Sequence, residues 1–142
     1  KNSKLYIIGD GDNNYKLELI QLVSDLNLNK RVIFTGRLEE KERNKLMEKA
    51  LAILVTSVRE GWGLIVTEAN ANGTIAITYN VPGLIDANKT GLVCIHNNPT
   101  DLARLMNLVL VQTNKSLLKD KTSASLKFAE AHPDWNANVR RL

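Results

Sequence analysis

One segment of the chain combines residue types and spacing that could do chemistry: Thr56-Ser57-Val58-Arg59-Glu60-Gly61-Trp62-Gly63-Leu64-Ile65-Val66-Thr67-Glu68-Ala69. Gly61 and Gly63 flank Trp62, and residues without a β-carbon let backbone come close to a ligand. A helix starting at about Leu64 would present the amides of Gly63, Leu64 and Ile65 with no intrahelical partner. Such an end sits at the positive pole of the helix dipole and holds anions, and a diphosphate is a natural occupant. Glu60 lies just before these amides. Glu68 lies one turn past Leu64 on the same face, because residues four apart are neighbours on a helix. A carboxylate there would repel a phosphate in direct contact, yet could accept hydrogen bonds from a neighbouring ribose diol. Spacing alone also leaves a structural reading open, with Glu60 a solvated loop charge and Glu68 an early-turn carboxylate favoured by the dipole.

Other reactive residue types read as structural. His96 and His132 have no partner pattern, and His132 precedes Pro133, so both are expected at the surface. Cys94 sits in the apolar run Leu92-Val93-Cys94-Ile95 and is expected to be a buried small hydrophobe rather than a nucleophile. Asp10 and Asp12 lack the remaining ligands of a calcium loop and read as a solvated turn. Trp62 either walls a sugar pocket or packs its own loop. The charges from Glu39 to Arg43 read as a solvated helix face.

These residues need elements to position them. Short apolar runs at Leu5–Ile8, Val32–Thr35, Ala52–Thr56, Ile75–Thr78 and Leu92–Ile95 read as strands, and the fully apolar third is expected to be central. Between them, apolar residues recur at helical spacing from about Tyr15 to Leu26, Glu39 to Ala50 and Leu64 to Ala71. Val81-Pro82-Gly83 reads as a turn. Helices are then expected over Thr100 to Val111, Leu117 to Ala131, and near Trp135 to Leu142 after the break at Pro133. Strict alternation implies parallel strands joined by helical crossovers, an open α/β sheet with helices on both faces. Ligands in such sheets bind at the carboxyl ends of strands, so the loops after Ile8, Phe34, Thr56 and Thr78 are the ones to inspect.

Composition narrows the function classes. The 142 residues are 44% apolar and 24% charged, an ordinary globular balance. No apolar run approaches the roughly 18 residues that a membrane span needs. The net charge of +4 is spread along the chain and aromatics are only 5%, which does not suit a nucleic-acid surface but does suit a small anionic ligand. A single cysteine, Cys94, cannot close an internal disulfide or supply a Cys-pair metal site, and fits a reducing, cytoplasmic setting. The chain opens on Lys1 with a strand four residues later, so no targeting peptide is read and it is expected to begin inside a domain.

Glu60 and Glu68, with seven residues between them, resemble the E-x7-E signature of retaining GT-B glycosyltransferases, family 4 in particular. The resemblance extends over nearly the whole chain. Leu5 to Gly11 is similar to the strand and glycine turn that open the second half of the donor domain. Arg31-Val32-Ile33-Phe34-Thr35-Gly36 resembles the next family strand. Gly73-Thr74, Asn80-Val81-Pro82-Gly83-Leu84 and Thr90-Gly91-Leu92-Val93 follow in order, and Trp135 resembles the aromatic of the terminal helix region.

The resemblance implies a Rossmann-like open parallel sheet, the C-terminal half of a GT-B fold truncated at its start. Residues 1–142 are then a single nucleotide-sugar domain, and the acceptor-binding N-terminal domain is absent. It places Glu60 at the hydroxyls of the donor sugar as the catalytic residue, and Glu68 at the ribose. The amides of Gly63, Leu64 and Ile65 would hold the diphosphate, and Gly61 and Trp62 belong to the same donor-binding loop. Gly36, Arg37 and Leu38 would read the base through backbone groups, and Gly9 and Gly11 would line the same cleft. No metal and no cofactor are expected; the donor is a nucleotide-diphosphate sugar. The acceptor is a glycan, lipid or other molecule, and any peripheral membrane association would come from the missing domain. The family's basic pair on the diphosphate falls before Leu5. Ile85 stands where many relatives have arginine, the stretch from Gly83 to Thr90 is short, Asn70 and Asn72 replace small or apolar residues, and Ile75 replaces a frequent proline. The resemblance thus implies a glycosyltransferase whose isolated donor half is inactive. The competing readings are a nucleotide-binding module without transfer and a sugar-nucleotide epimerase on the same scaffold; a glycan phosphorylase would need a pyridoxal lysine that cannot be placed.

Overall fold

Strand and helix alternate along the chain as its apolar pattern requires. The structure, a computed structural model, describes residues 3–111 and 115–131. The elements are β1 (Leu5–Ile8), α1 (Asn13–Asp25), β2 (Val32–Gly36), α2 (Glu40–Lys49), β3 (Ile53–Val55) and α3 (Leu64–Ala71). They continue with β4 (Ala76–Thr78), α4 (Pro82–Ala87), β5 (Leu92–Val93), α5 (Pro99–Val111) and α6 (Lys115–Ala131). Each expected strand is present: β1 has the expected bounds, β2 is longer by one residue, and the other three are trimmed by one or two. Trp135, His132, Pro133 and the expected last helix lie outside the described residues. Every strand pair is parallel, and helices cover both sides of an α/β, Rossmann-like arrangement. Parallel neighbours cannot be joined by a tight hairpin, so each pair needs a helical crossover.

Two compact units divide between Arg43 and Asn44. In the first, β1 pairs with β2, Leu5 opposite Val32 through Ile7 opposite Phe34, and the register then shifts to set Ile8 against Gly36. The crossover α1 starts at Asp12, whose carboxylate accepts a hydrogen bond from the Tyr15 amide at 2.9 Å and so satisfies a first-turn donor. It ends where Asn27 takes a left-handed conformation (φ 55°) and the Leu28 amide reaches back to the Val23 carbonyl at 2.9 Å.

The second unit holds a three-stranded sheet in the order β3-β4-β5. Within this sheet the middle strand is β4, not the fully apolar segment expected to be central. Ala76, Ile77 and Thr78 are buried along its whole length, while β3 is only partly covered. The core gathers Val55 from β3, Val66 from α3, Ile77 from β4, Leu84 from α4, and Leu105 and Val109 from α5. Each such aliphatic side chain contributes roughly 1.5–3 kcal/mol when fully withdrawn from water.

The turn expected at Val81-Pro82-Gly83 instead opens a helix, α4. Val81 is extended (φ −129°) and Pro82 occupies the first turn, where its fixed φ suits a helix and its missing N–H costs nothing. Six residues are too few for a helical period to show in the sequence. Asn88 ends α4 and ties it to the sheet. Its buried amide nitrogen donates toward the Leu92 carbonyl at 3.0 Å and Thr78 Oγ1 at 3.1 Å, and its amide oxygen accepts from the Gly91 N–H at 3.0 Å. After β5 the chain is held by Asp101, whose carboxylate accepts from the amides of Ile95 and His96 and from Arg104 Nε at 2.5, 2.9 and 2.8 Å. Cys94 is buried beneath this turn, and burial, aided by the Asp101 charge, pushes its thiol above the ordinary cysteine value.

Candidate functional site

In the first unit, the residues singled out at the carboxyl ends of β1 and β2 meet. The Gly9 amide donates to the Gly36 carbonyl at 2.9 Å, joining the two loops directly. Asp10 reinforces the junction, its carboxylate accepting from the Arg37 amide at 3.3 Å and facing Lys16 Nζ at 3.5 Å. Gly11 and Arg37 are exposed and Leu38 is half-buried. Asp10 and Asp12 therefore have work beyond a solvated turn: one fastens the β2 loop and the other caps α1. A carboxylate two residues before an N-cap is the signal that could have suggested it.

In the second unit the segment 60–68 forms a loop running into α3. Gly63 is the N-cap and adopts the left-handed conformation (φ 69°), and no side chain caps the helix there. The Gly63 carbonyl accepts the Val66 amide at 2.9 Å, so the helical ladder begins only beyond Ile65. The amides at the start of α3 lack a side-chain cap, and the dipole's positive end adds to their pull on an anion. Leu64 is 44% exposed at this end and Trp62 is 40% exposed in the loop before it. Glu60 is half-buried in the loop. Glu68 is half-buried too, one turn along α3 from Leu64 and opposite the face that α3 buries, with its Oε2 atom enclosed. The buried face carries Val66, Thr67, Ala69 and Asn70. Asn70 is only 1% exposed, and neither its amide nitrogen nor its oxygen has a hydrogen-bond partner among the described residues.

The two loop glycines differ. A β-carbon at Gly61 would meet nothing within 4 Å, so this position is open to an approaching molecule. At Gly63 the requirement is internal: the backbone is left-handed, and a β-carbon would lie 3.1 Å from Leu84 Cδ2 and 3.2 Å from Ala87 Cβ. Packing against α4 thus demands a glycine at position 63 whatever approaches the loop. What sequence reasoning missed is α4, whose residues Gly83, Leu84 and Ala87 form the floor of this loop. Its signal was a proline directly before a glycine and a leucine, the pattern of a helix start as well as of a turn.

A model of the glycosyl transferases group 1 family matches residues 1–124. The chain belongs to this family. Among curated relatives, an uncharacterized glycosyltransferase of Methanocaldococcus jannaschii is 32% identical, with the match covering 77% of this chain and 28% of that protein. The O-antigen biosynthesis glycosyltransferase WclY of Escherichia coli is also 32% identical, over 99% of this chain and 41% of WclY. The chain thus spans less than half the length of these curated relatives. Among solved structures, Anabaena Alr3699/HepE in complex with UDP and glucose superposes with a TM-score of 0.79 at 21% identity, covering 97% of this chain and 39% of that one. The fold of this group 1 glycosyltransferase chain is that of GT-B enzymes. The loop and helix at residues 60–71 fall well inside the matched segment.

Proposed function

We propose that this chain is the donor-nucleotide half of a retaining glycosyltransferase of family 4, the C-terminal half of its GT-B fold. It would transfer a sugar from a nucleotide-diphosphate carrier to an acceptor held elsewhere in the complete protein. The observation that carries the reading is the start of α3, a helix end with a glycine cap and no capping side chain, bracketed by Glu60 and Glu68. The amides of Gly63, Leu64 and Ile65 bind the diphosphate, Glu68 takes the ribose, and Glu60 stands beside the donor sugar where positive charge develops. Fixed donors placed where charge develops act without reorganising, which accounts for several kcal/mol of catalysis in comparable sites. The structure of HepE with UDP and glucose and the biosynthetic relatives support a nucleotide-sugar donor and a glycan product. No metal or cofactor is assigned a role, and the reaction is placed in the cytoplasm.

The test follows nucleoside-diphosphate release by the full-length protein from a panel of nucleotide sugars, with early NMR of the sugar's anomeric proton. Release with the donor's configuration retained is expected. Inversion would remove the retaining assignment, and neither binding nor release with any donor would remove the transferase reading.

A further inference from the structure

We infer that Gly83, on a helix apart from the signature segment, is a positioning residue for Glu60. The inference deepens the proposed function, since it rests on Glu60 working beside the donor sugar.

The first turn of α4 presses on the backbone of the loop with no side chain between them. A β-carbon built at Gly83 would overlap the Glu60 carbonyl oxygen and lie 2.8 Å from both the carbonyl carbon and oxygen of Gly61. All three obstacles are main-chain atoms, which cannot rotate away as the tip of a side chain can. The same surface carries Leu84 and Ala87 against Gly63, with the Gly83 carbonyl 3.3 Å from that glycine's would-be β-carbon. The loop from Glu60 to Gly63 therefore rests on three residues of one helix. That helix is itself immobilised. Gly83, Leu84 and Ala87 are buried, and Asn88 at its end is hydrogen-bonded into β4 and β5. A line of contacts thus runs from the sheet through Asn88 and α4 to the peptide that follows Glu60, and fixes the direction in which its Cα–Cβ bond leaves the chain.

Glu68 and the Leu64 and Ile65 amides depend on a different anchor, the burial of Val66, Ala69 and Asn70 on the opposite side of α3, and Gly63 meets chiefly Leu84 and Ala87, which a change at Gly83 leaves in place. Displacing the Glu60–Gly61 peptide should then disturb turnover more than nucleotide binding. Misplacement of a reacting group by about 1 Å is enough to cost on the order of a hundredfold in rate.

The experiment compares Gly83→Ala, Leu105→Ala and Glu60→Ala in the full-length protein, reading kcat for donor turnover, nucleoside-diphosphate Kd and Tm. Leu105 is a core residue of α5 outside the loop and α4, and truncating it supplies a loss of stability without a displacement of Glu60. Gly83→Ala is expected to lower kcat by about tenfold or more while Kd stays within about threefold, a split that a merely structural role does not produce. Leu105→Ala should keep kcat per folded molecule. The inference is overturned if Gly83→Ala retains kcat, or if its kcat and Kd decline together as the folded fraction does. Should Gly83→Ala not fold, Asn88→Ala releases the hydrogen bonds that anchor α4 to β4 and β5, and an unchanged kcat there overturns the inference equally. Glu60→Ala separates the two levels. If it loses turnover while Gly83→Ala does not, only the positioning role falls; if it keeps full turnover, the functional reading of the loop falls and the positioning role with it.

Discussion

Glu60 and Glu68 are chemically alike and differ in what holds their backbones. Glu68 is part of a helix whose opposite face is buried, so the burial of α3 sets the direction in which its side chain leaves the backbone. Glu60 sits in a loop whose conformation depends on a left-handed Gly63 and on the α4 surface beneath. Their substitutions should therefore separate. Glu68→Ala in the full-length protein is expected to weaken nucleoside-diphosphate binding by on the order of 1.5–3 kcal/mol, the usual worth of a hydrogen bond to a charged group. Glu60→Ala is expected to lower turnover with little change in that affinity, because charge develops at the sugar only during transfer. Calorimetry on both variants decides it, and parent-like binding by Glu68→Ala would remove the ribose assignment. The residue types and the seven-residue interval were readable from the sequence. That Gly63 is reserved for backbone geometry and packing was not, because the neighbours that demand it lie some twenty residues further along the chain.

At the scale of elements, the segment from β5 into α5 is organised by one carboxylate. Asp101 accepts from the His96 amide, from Arg104 and from the Ile95 amide, and these contacts, the first foremost, hold its carboxyl below the ordinary carboxylate value of 3.8. A folded-state pKa below the unfolded one stabilises the fold at pH above the unfolded value, and the contribution disappears as pH falls through the folded value. Asp101→Asn should therefore lower Tm most at pH above about 5, and the gap from the parent should close in more acidic solution. Melting curves from neutral pH down to about pH 3 provide the check, and a gap that widens on acidification would contradict this account. The helices with clear amphipathic periods were found in the sequence within a residue or two. The short α4 was not, since its six residues are defined by Pro82 at the start and by the Asn88 anchor at the end. A tertiary hydrogen bond leaves no mark on local periodicity.

At the scale of the molecule, the chain covers 28% and 41% of two family members to which it is 32% identical. Residues 1–142 expressed alone are expected to bind a nucleoside diphosphate and to show little or no sugar transfer, since the proposed function has the acceptor held elsewhere in the complete protein. Robust transfer by this segment with any nucleotide sugar would contradict the assignment. By itself the sequence determined the α/β class, the five strands, the parallel connection and the family, because apolar period and motif order are local properties that survive translation into structure. Tertiary structure decided that β4 is the middle strand of its sheet, since burial depends on which elements lie above and below a strand and not on its own apolarity. It decided as well that Asp10 fastens the Arg37 loop and that α4 supports Glu60. Both are contacts between residues more than twenty positions apart, the first an exposed hydrogen bond and the second a close packing that leaves no room for a β-carbon at Gly83.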